Sequence, residues 1–114
     1  MAKRTSKPNR KQDVMRGRNL RYWLNDIPRS IDIDLQPDKF SAWLAEAQSF
    51  TYAQHELLLT VRREKRASGS FWYAYKTHQG KTYKVYIGSD DNVTPGNMKQ
   101  AVQAMQDKIN QDET

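Results

Sequence analysis

The sequence predicts an α+β fold: a three-stranded antiparallel sheet, with or without a short extra strand, whose one face is covered by a C-terminal helix. A second helix lies N-terminal to the sheet, and a basic arm leads the chain. Three observations carry this. Residues 57–87 alternate apolar and polar side chains at period two between glycine turns; residues 37–48 and 94–110 carry apolar stripes at helical spacing; and residues 1–18 are charged and poor in apolar groups. A chain of 114 residues, 37% of them hydrophobic, supports one core rather than two. The expected organisation is therefore a flexible basic arm over 1–18, one nucleic-acid-binding domain over 19–110 and a tail over 111–114.

Each element has a local reason. Residues 1–18 hold too few apolar groups to offset the entropy of ordering. Leu20, Trp23 and Leu24 have the spacing of one short helical turn, which Pro28 ends. Ile31, Ile33 and Leu35 alternate with Asp32 and Asp34, as in a short strand with one wet face, and the paired carboxylates need no catalytic explanation there. Pro37 suits the first helical position and Asp38 the positive helix end, ahead of the stripe Phe40, Trp43, Leu44 and Ala47. Strands follow near 57–66, 71–78 and 81–87, with turns at Ser68-Gly69 and Gln79-Gly80. Thr94 as cap and Pro95 in the first turn start a helix with Met98, Ala101, Val102, Met105 and Ile109 along one face.

Hairpin register sorts these side chains onto two faces. A turn at Gln79-Gly80 sets Trp72 opposite Ile87, Ala74 opposite Val85, Tyr73 opposite Tyr86, Tyr75 opposite Lys84 and Thr77 opposite Thr82. A turn at Ser68-Gly69 aligns Arg62 with Tyr75 and puts Leu57, Leu59 and Val61 on the face of Trp72 and Ala74. That apolar face suits the last helix. The other face carries Thr60, Arg62, Glu64, Arg66, Phe71, Tyr73, Tyr75, Thr77, Lys84 and Tyr86. Covering it with the 37–48 helix would desolvate Arg62, Arg66 and Lys84, so that helix is expected on the apolar side and the basic aromatic face stays open.

Charge follows the same division. The net charge is +6, yet residues 1–22 hold eight Lys or Arg against Asp13 alone, and residues 60–86 hold seven against Glu64 alone. Clustered cations of this kind displace the counterions condensed on nucleic-acid phosphates. The candidate nucleic-acid-binding residues are Thr60, Arg62, Arg66, Tyr73, Tyr75, Thr77, Lys84 and Tyr86 on the sheet, with Lys3, Arg4, Lys7, Arg10, Lys11, Arg16 and Arg18 in the arm. Arg presents a planar fork to phosphates and guanine edges, while flat aromatics stack on unpaired bases. Enzyme chemistry is not expected: there is no Gly-rich phosphate loop and no nucleophile–base pair. The chain has no Cys and only His55 and His78, so no cofactor or metal is expected either. Asp90, Asp91 and Asn92 lack the glycine and closing Glu of a calcium loop. No apolar run is long enough to span a bilayer, and a cytoplasmic, nucleoid-associated protein is the expectation.

The stretches "SAWLAEAQSFTY", "LTVRREKRASGSFWYAYKTHQGKTYKVYIGS" and "VTPGNMKQAVQAM" resemble a segment at the N-terminus of large LuxR-family ATP-dependent transcriptional regulators, a segment also seen as short free-standing bacterial proteins. Trp43-Leu44, Ser49-Phe50, Thr60, Arg62, Glu64, Trp72-Tyr73-Ala74-Tyr75, Tyr86-Ile87-Gly88 and Thr94 carry the resemblance over roughly residues 33–105. Pro95-Gly96 and Met98 depart from the usual Leu-rich helix start, and no ATPase or helix-turn-helix region is present, so the regulators' nucleotide chemistry does not carry over. Three strands followed by a helix is also similar to the DNA-binding domain of ethylene-response factors and the arm-binding domain of tyrosine integrases, which implies major-groove reading by a sheet. The expected function is a small DNA-binding protein, a transcriptional regulator or mobile-element accessory factor, that contacts double-stranded DNA with sheet face and arm. An RNA or single-stranded DNA binder, or a protein-interaction module or inhibitor using the same face, is the alternative.

Overall fold

A computed structural model describes residues 12–113. Its strands are β1 (Val14–Arg16), β2 (Asn19–Leu24), β3 (Ile27–Asp32), β4 (Ser49–Gln54), β5 (Leu57–Arg66), β6 (Gly69–His78) and β7 (Lys81–Gly88); its helices are α1 (Pro37–Glu46) and α2 (Pro95–Glu113). The strands form one seven-stranded sheet in the order β3-β2-β1-β4-β5-β6-β7. Only β1 and β4 pair in parallel; every other neighbour is antiparallel.

The class remains α+β, but a mixed sheet of seven strands replaces the expected three-stranded antiparallel one. Residues 19–24 are a strand, not a helical turn. Leu20 is fully buried and Tyr22 half-buried on one side, while Arg21 points to the other. Asn25 and Asp26, both at positive φ (51° and 67°), close the hairpin to β3 in the backbone form that two-residue hairpins prefer. Pro28 is tolerated because β3 is an edge strand, where a missing N–H breaks no central ladder. Ile31 and Ile33 are buried, but Leu35 is 80% exposed beyond the strand, where the Asp32 carboxylate accepts from the Asp34 and Leu35 amides to form a turn. Residues 14–16 of the expected arm form β1. Lys3, Arg4, Lys7, Arg10 and Lys11 lie outside the described residues.

Both helices cover the same side of the sheet. Phe40 and Leu44 of α1 join Phe50, Tyr52, Leu59, Val61 and Trp72 of the sheet and Met98, Val102 and Met105 of α2 in one core. An aromatic chain links the layers: Trp43 lies 6.1 Å from Phe40 and 5.8 Å from Phe50, and Phe50 lies 5.4 Å from Trp72. The Thr94 hydroxyl accepts from the Asn97 amide at 3.1 Å and caps α2 as its sequence predicts.

Arg63 fastens α1 to the sheet. It alternates with Arg62, so it points into the helical layer, where only 13% of its side chain is exposed. Its guanidinium donates to the Leu44 and Ala47 carbonyls at 2.6 and 3.0 Å, which satisfies the open end of α1. It also pairs with Asp90 at 2.9 Å and lies 4.6 Å above the Trp72 ring. Asp90 in turn accepts from the Trp72 indole at 2.7 Å. Asp90 thus ties Arg63, Trp72 and the end of α1 together.

Two registers also differ from the sequence reading. The β5–β6 turn falls at Ala67 and Ser68, so Arg62 stands opposite Tyr73 and Thr60 opposite Tyr75. This shift of two residues leaves every side chain on its expected face. A bulge between Trp72 and Tyr73 pairs Trp72 with Gly88 rather than Ile87, while Tyr73 with Tyr86, Tyr75 with Lys84 and Thr77 with Thr82 stand as expected.

Candidate nucleic-acid interface

The side of the sheet away from the helices carries a continuous row. In register across all seven strands stand Ser30, Arg21, Val14, Thr51, Thr60, Tyr75 and Lys84. Beside it run Arg62, Tyr73 and Tyr86 in one direction, and Asn19, Arg16 and Ala53 in the other. The pleat dictates this arrangement. Burying Met15, Leu20, Tyr52, Leu59, Val61, Ala74 and Val85 turns their sequence neighbours outward.

At the β5–β7 end, cations and rings form one ladder. Lys84 Nζ sits 4.3 Å from the Tyr73 ring centre and 5.6 Å from that of Tyr75. The Arg62 guanidinium lies 5.6 Å from the Tyr75 ring, and that of Arg66 lies 5.2 Å from Tyr73. Tyr73 meets Tyr86 edge to face at 5.4 Å, and Phe71 lies 6.2 Å from Tyr86. Glu64 accepts from Arg66 at 2.8 Å and from Lys84 at 3.1 Å. The hydrogen bond with Tyr73 and then the Glu64 charge push Arg66 further above its ordinary pKa. A guanidinium resting on a ring holds its alkyl stem and plane in place while its N–H edges stay available to an anion.

The predicted residues are therefore largely brought together. Thr60, Arg62, Arg66, Tyr73, Tyr75, Thr77, Lys84 and Tyr86 share the face that neither helix covers among the described residues; Tyr86 is 59% exposed, and Tyr73, Tyr75 and Lys84 are half-buried among their neighbours. Thr77 exchanges a hydroxyl hydrogen bond with Thr82 at 3.1 Å. Arg16 lies on the same face, whereas Arg18 sits in the β1–β2 turn and reaches Asp34 at 3.4 Å. The sequence reading missed Arg21, Asn19 and Ser30. The signal was the alternation of Arg21 with Leu20 and Tyr22, which the helical reading of that stretch overrode.

Two shallow concavities mark the face. One, of about 520 Å³, is lined by Leu58, Thr60, Arg62, Tyr75, Lys76, Thr77 and Thr82; the other, of about 500 Å³, by Val14, Arg16, Asn19, Arg21 and Ser30. Between them β4 contributes Ser49, exposed opposite Arg62, and Thr51 and Ala53, both buried, with the Gln12 side chain donating to the Thr51 hydroxyl. Among the described residues Arg16, Arg21 and Arg62 have no ion-pair partner.

Seven strands at about 4.8 Å spacing make a surface about 29 Å wide. A B-DNA major groove is about 12 Å across. The whole sheet is too wide to enter a groove, which removes the expected docking of the three-stranded readers. No family model, curated protein or solved structure matches the chain.

Proposed function

We propose that this protein binds duplex DNA by laying the uncovered face of its sheet against the phosphate backbone, in a transcription-regulating or mobile-element accessory role. The observation that carries this reading is an open face on which five cations, Arg16, Arg21, Arg62, Arg66 and Lys84, outnumber two carboxylates, Glu64 and, on the edge strand, Asp32. An excess of positive charge of this kind attracts a polyanion and releases its counterions. The occupied rings favour backbone contact over base stacking: cations already lie against Tyr73 and Tyr75. Tyr86 and Phe71, together with half-buried Trp23 beside Arg21 on β2, are the remaining stacking surface, and they favour the single-strand alternative.

Fluorescence anisotropy with a labelled duplex, titrated at several salt concentrations, tests the proposal. Affinity should fall steeply and log-linearly with salt, and Arg62→Gln should weaken binding while the thermal midpoint falls by no more than a few degrees. Preferential competition by an unpaired strand, or salt-independent binding, would overturn it.

A further inference from the structure

We infer that Arg16 and Arg21 form a second phosphate-binding row, so that the sheet grips both backbones of one duplex; the inference rests on the duplex reading above. Met15 and Leu20 are each fully buried, which fixes Arg16 and Arg21 on the open face. Their concavity, completed by Asn19 and Ser30, offers two guanidinium forks, an amide and a hydroxyl. The nearest acidic neighbour in register, Asp32 opposite Asn19, has its carboxylate engaged by the Asp34 and Leu35 amides. The site thus carries two guanidinium groups to one carboxylate, and neither guanidinium is ion-paired among the described residues.

Spacing identifies the occupant. From β2 to β5 there are three strand intervals, about 14 Å, which separates Arg21 from the Thr60 position in the same row. Arg62 lies two residues, about 7 Å, further along β5. A lateral separation of this size exceeds the minor groove, about 6 Å, and is close to the major groove, about 12 Å. The strand between the rows presents only small side chains, Ser49, Thr51 and Ala53, of which Thr51 and Ala53 are buried and Ser49, opposite Arg62, is exposed. Two backbones flanking a major groove can therefore rest on the two rows, with the groove above β4 and no side chain of β4 reaching its base edges. Affinity from this contact carries position along the backbone rather than base identity.

The test compares full-length wild type, R16Q/R21Q and R62Q/R66Q on one labelled duplex. Each neutralised phosphate contact contributes about 0.9 to the slope of log affinity against log salt, so R16Q/R21Q should lower that slope by about 1.8, as should R62Q/R66Q, with both variants still folded at the temperature of the titration. A wild-type slope in R16Q/R21Q alongside a reduced one in R62Q/R66Q would overturn the second row and leave duplex binding standing. An equal slope loss for R16Q/R21Q on a single strand of the same length would overturn the two-backbone geometry. Absence of duplex binding by the wild type would overturn the reading beneath both.

Discussion

Arg62 and Arg63 are sequence neighbours that the pleat assigns to opposite tasks, and replacing each with Met separates those tasks. Arg63→Met keeps an apolar stem above Trp72 but removes the donors to Leu44 O and Ala47 O and the ion pair with Asp90. Leu44 O keeps the Ala47 amide as a donor at 3.1 Å, so the substitution removes charged donors without leaving that carbonyl unpaired. A hydrogen bond from a charged donor contributes about 1.5–3 kcal/mol. Asp90 is 39% exposed, which discounts the ion pair to about 1 kcal/mol or less. Together these give a loss of about 3 kcal/mol, or a fall in Tm of about 12 °C for a domain of this size. Arg62→Met removes only an exposed contact with the Tyr75 ring, a loss of about 0.5 kcal/mol. Urea unfolding followed by Trp fluorescence measures both, and duplex affinity is measured beside it. The expected pattern is a large stability loss for Arg63→Met with little change in the affinity of the folded fraction, and the reverse for Arg62→Met. Equal destabilisation by the two substitutions, or a shift below about 1 kcal/mol for Arg63→Met, would refute the face assignment.

Other positions give independent checks. Gly88 holds φ +130° at the bulge, and an added Cβ would lie 2.5 Å from Asn92 Oδ1, an oxygen already accepting from the Ser89 amide and hydroxyl. Gly88→Ala should therefore destabilise by about 1–3 kcal/mol in chemical denaturation. Burial raises the pKa of the Asp13 carboxyl, opposed by a backbone hydrogen bond with Trp23. A carboxyl whose folded value is raised favours the folded state below its unfolded pKa, and that contribution is lost as pH rises through the folded value. Asp13→Asn should stabilise the protein at pH 7, with the gain shrinking toward pH 3.5; urea midpoints at the two pH values measure this.

What could be read in advance was local. Gln79-Gly80 adopts the two positive φ values, 53° and 80°, that its residue types announce, and it set the β6–β7 pairing correctly up to the bulge. The Met98-to-Ile109 stripe likewise declares its buried side. Strand β4 was missed because its turn to β5 uses His55 and Glu56, without Gly or Pro, with His55 at φ 55°. Its other partner, β1, arrives in parallel after two strands and a helix, a non-local pairing that hairpin reasoning does not generate. Asn25-Asp26 was a legible hairpin signal, masked by the helical spacing of Leu20, Trp23 and Leu24 and by Pro28, whose place on an edge is known only once the sheet order is known. The candidate site shows the same division. Its β5–β7 half followed from alternation alone, whereas Arg16 and Arg21 join it only through the β1–β4 ladder.

Nuclear magnetic resonance titration of the labelled protein with a short duplex tests the central claim most directly. Amide and side-chain shifts should move at Arg21, Thr60, Arg62, Tyr75 and Lys84 while the outer surfaces of α1 and α2 stay silent. Perturbations confined to the helices, with the sheet row unmoved at saturating duplex, would contradict it.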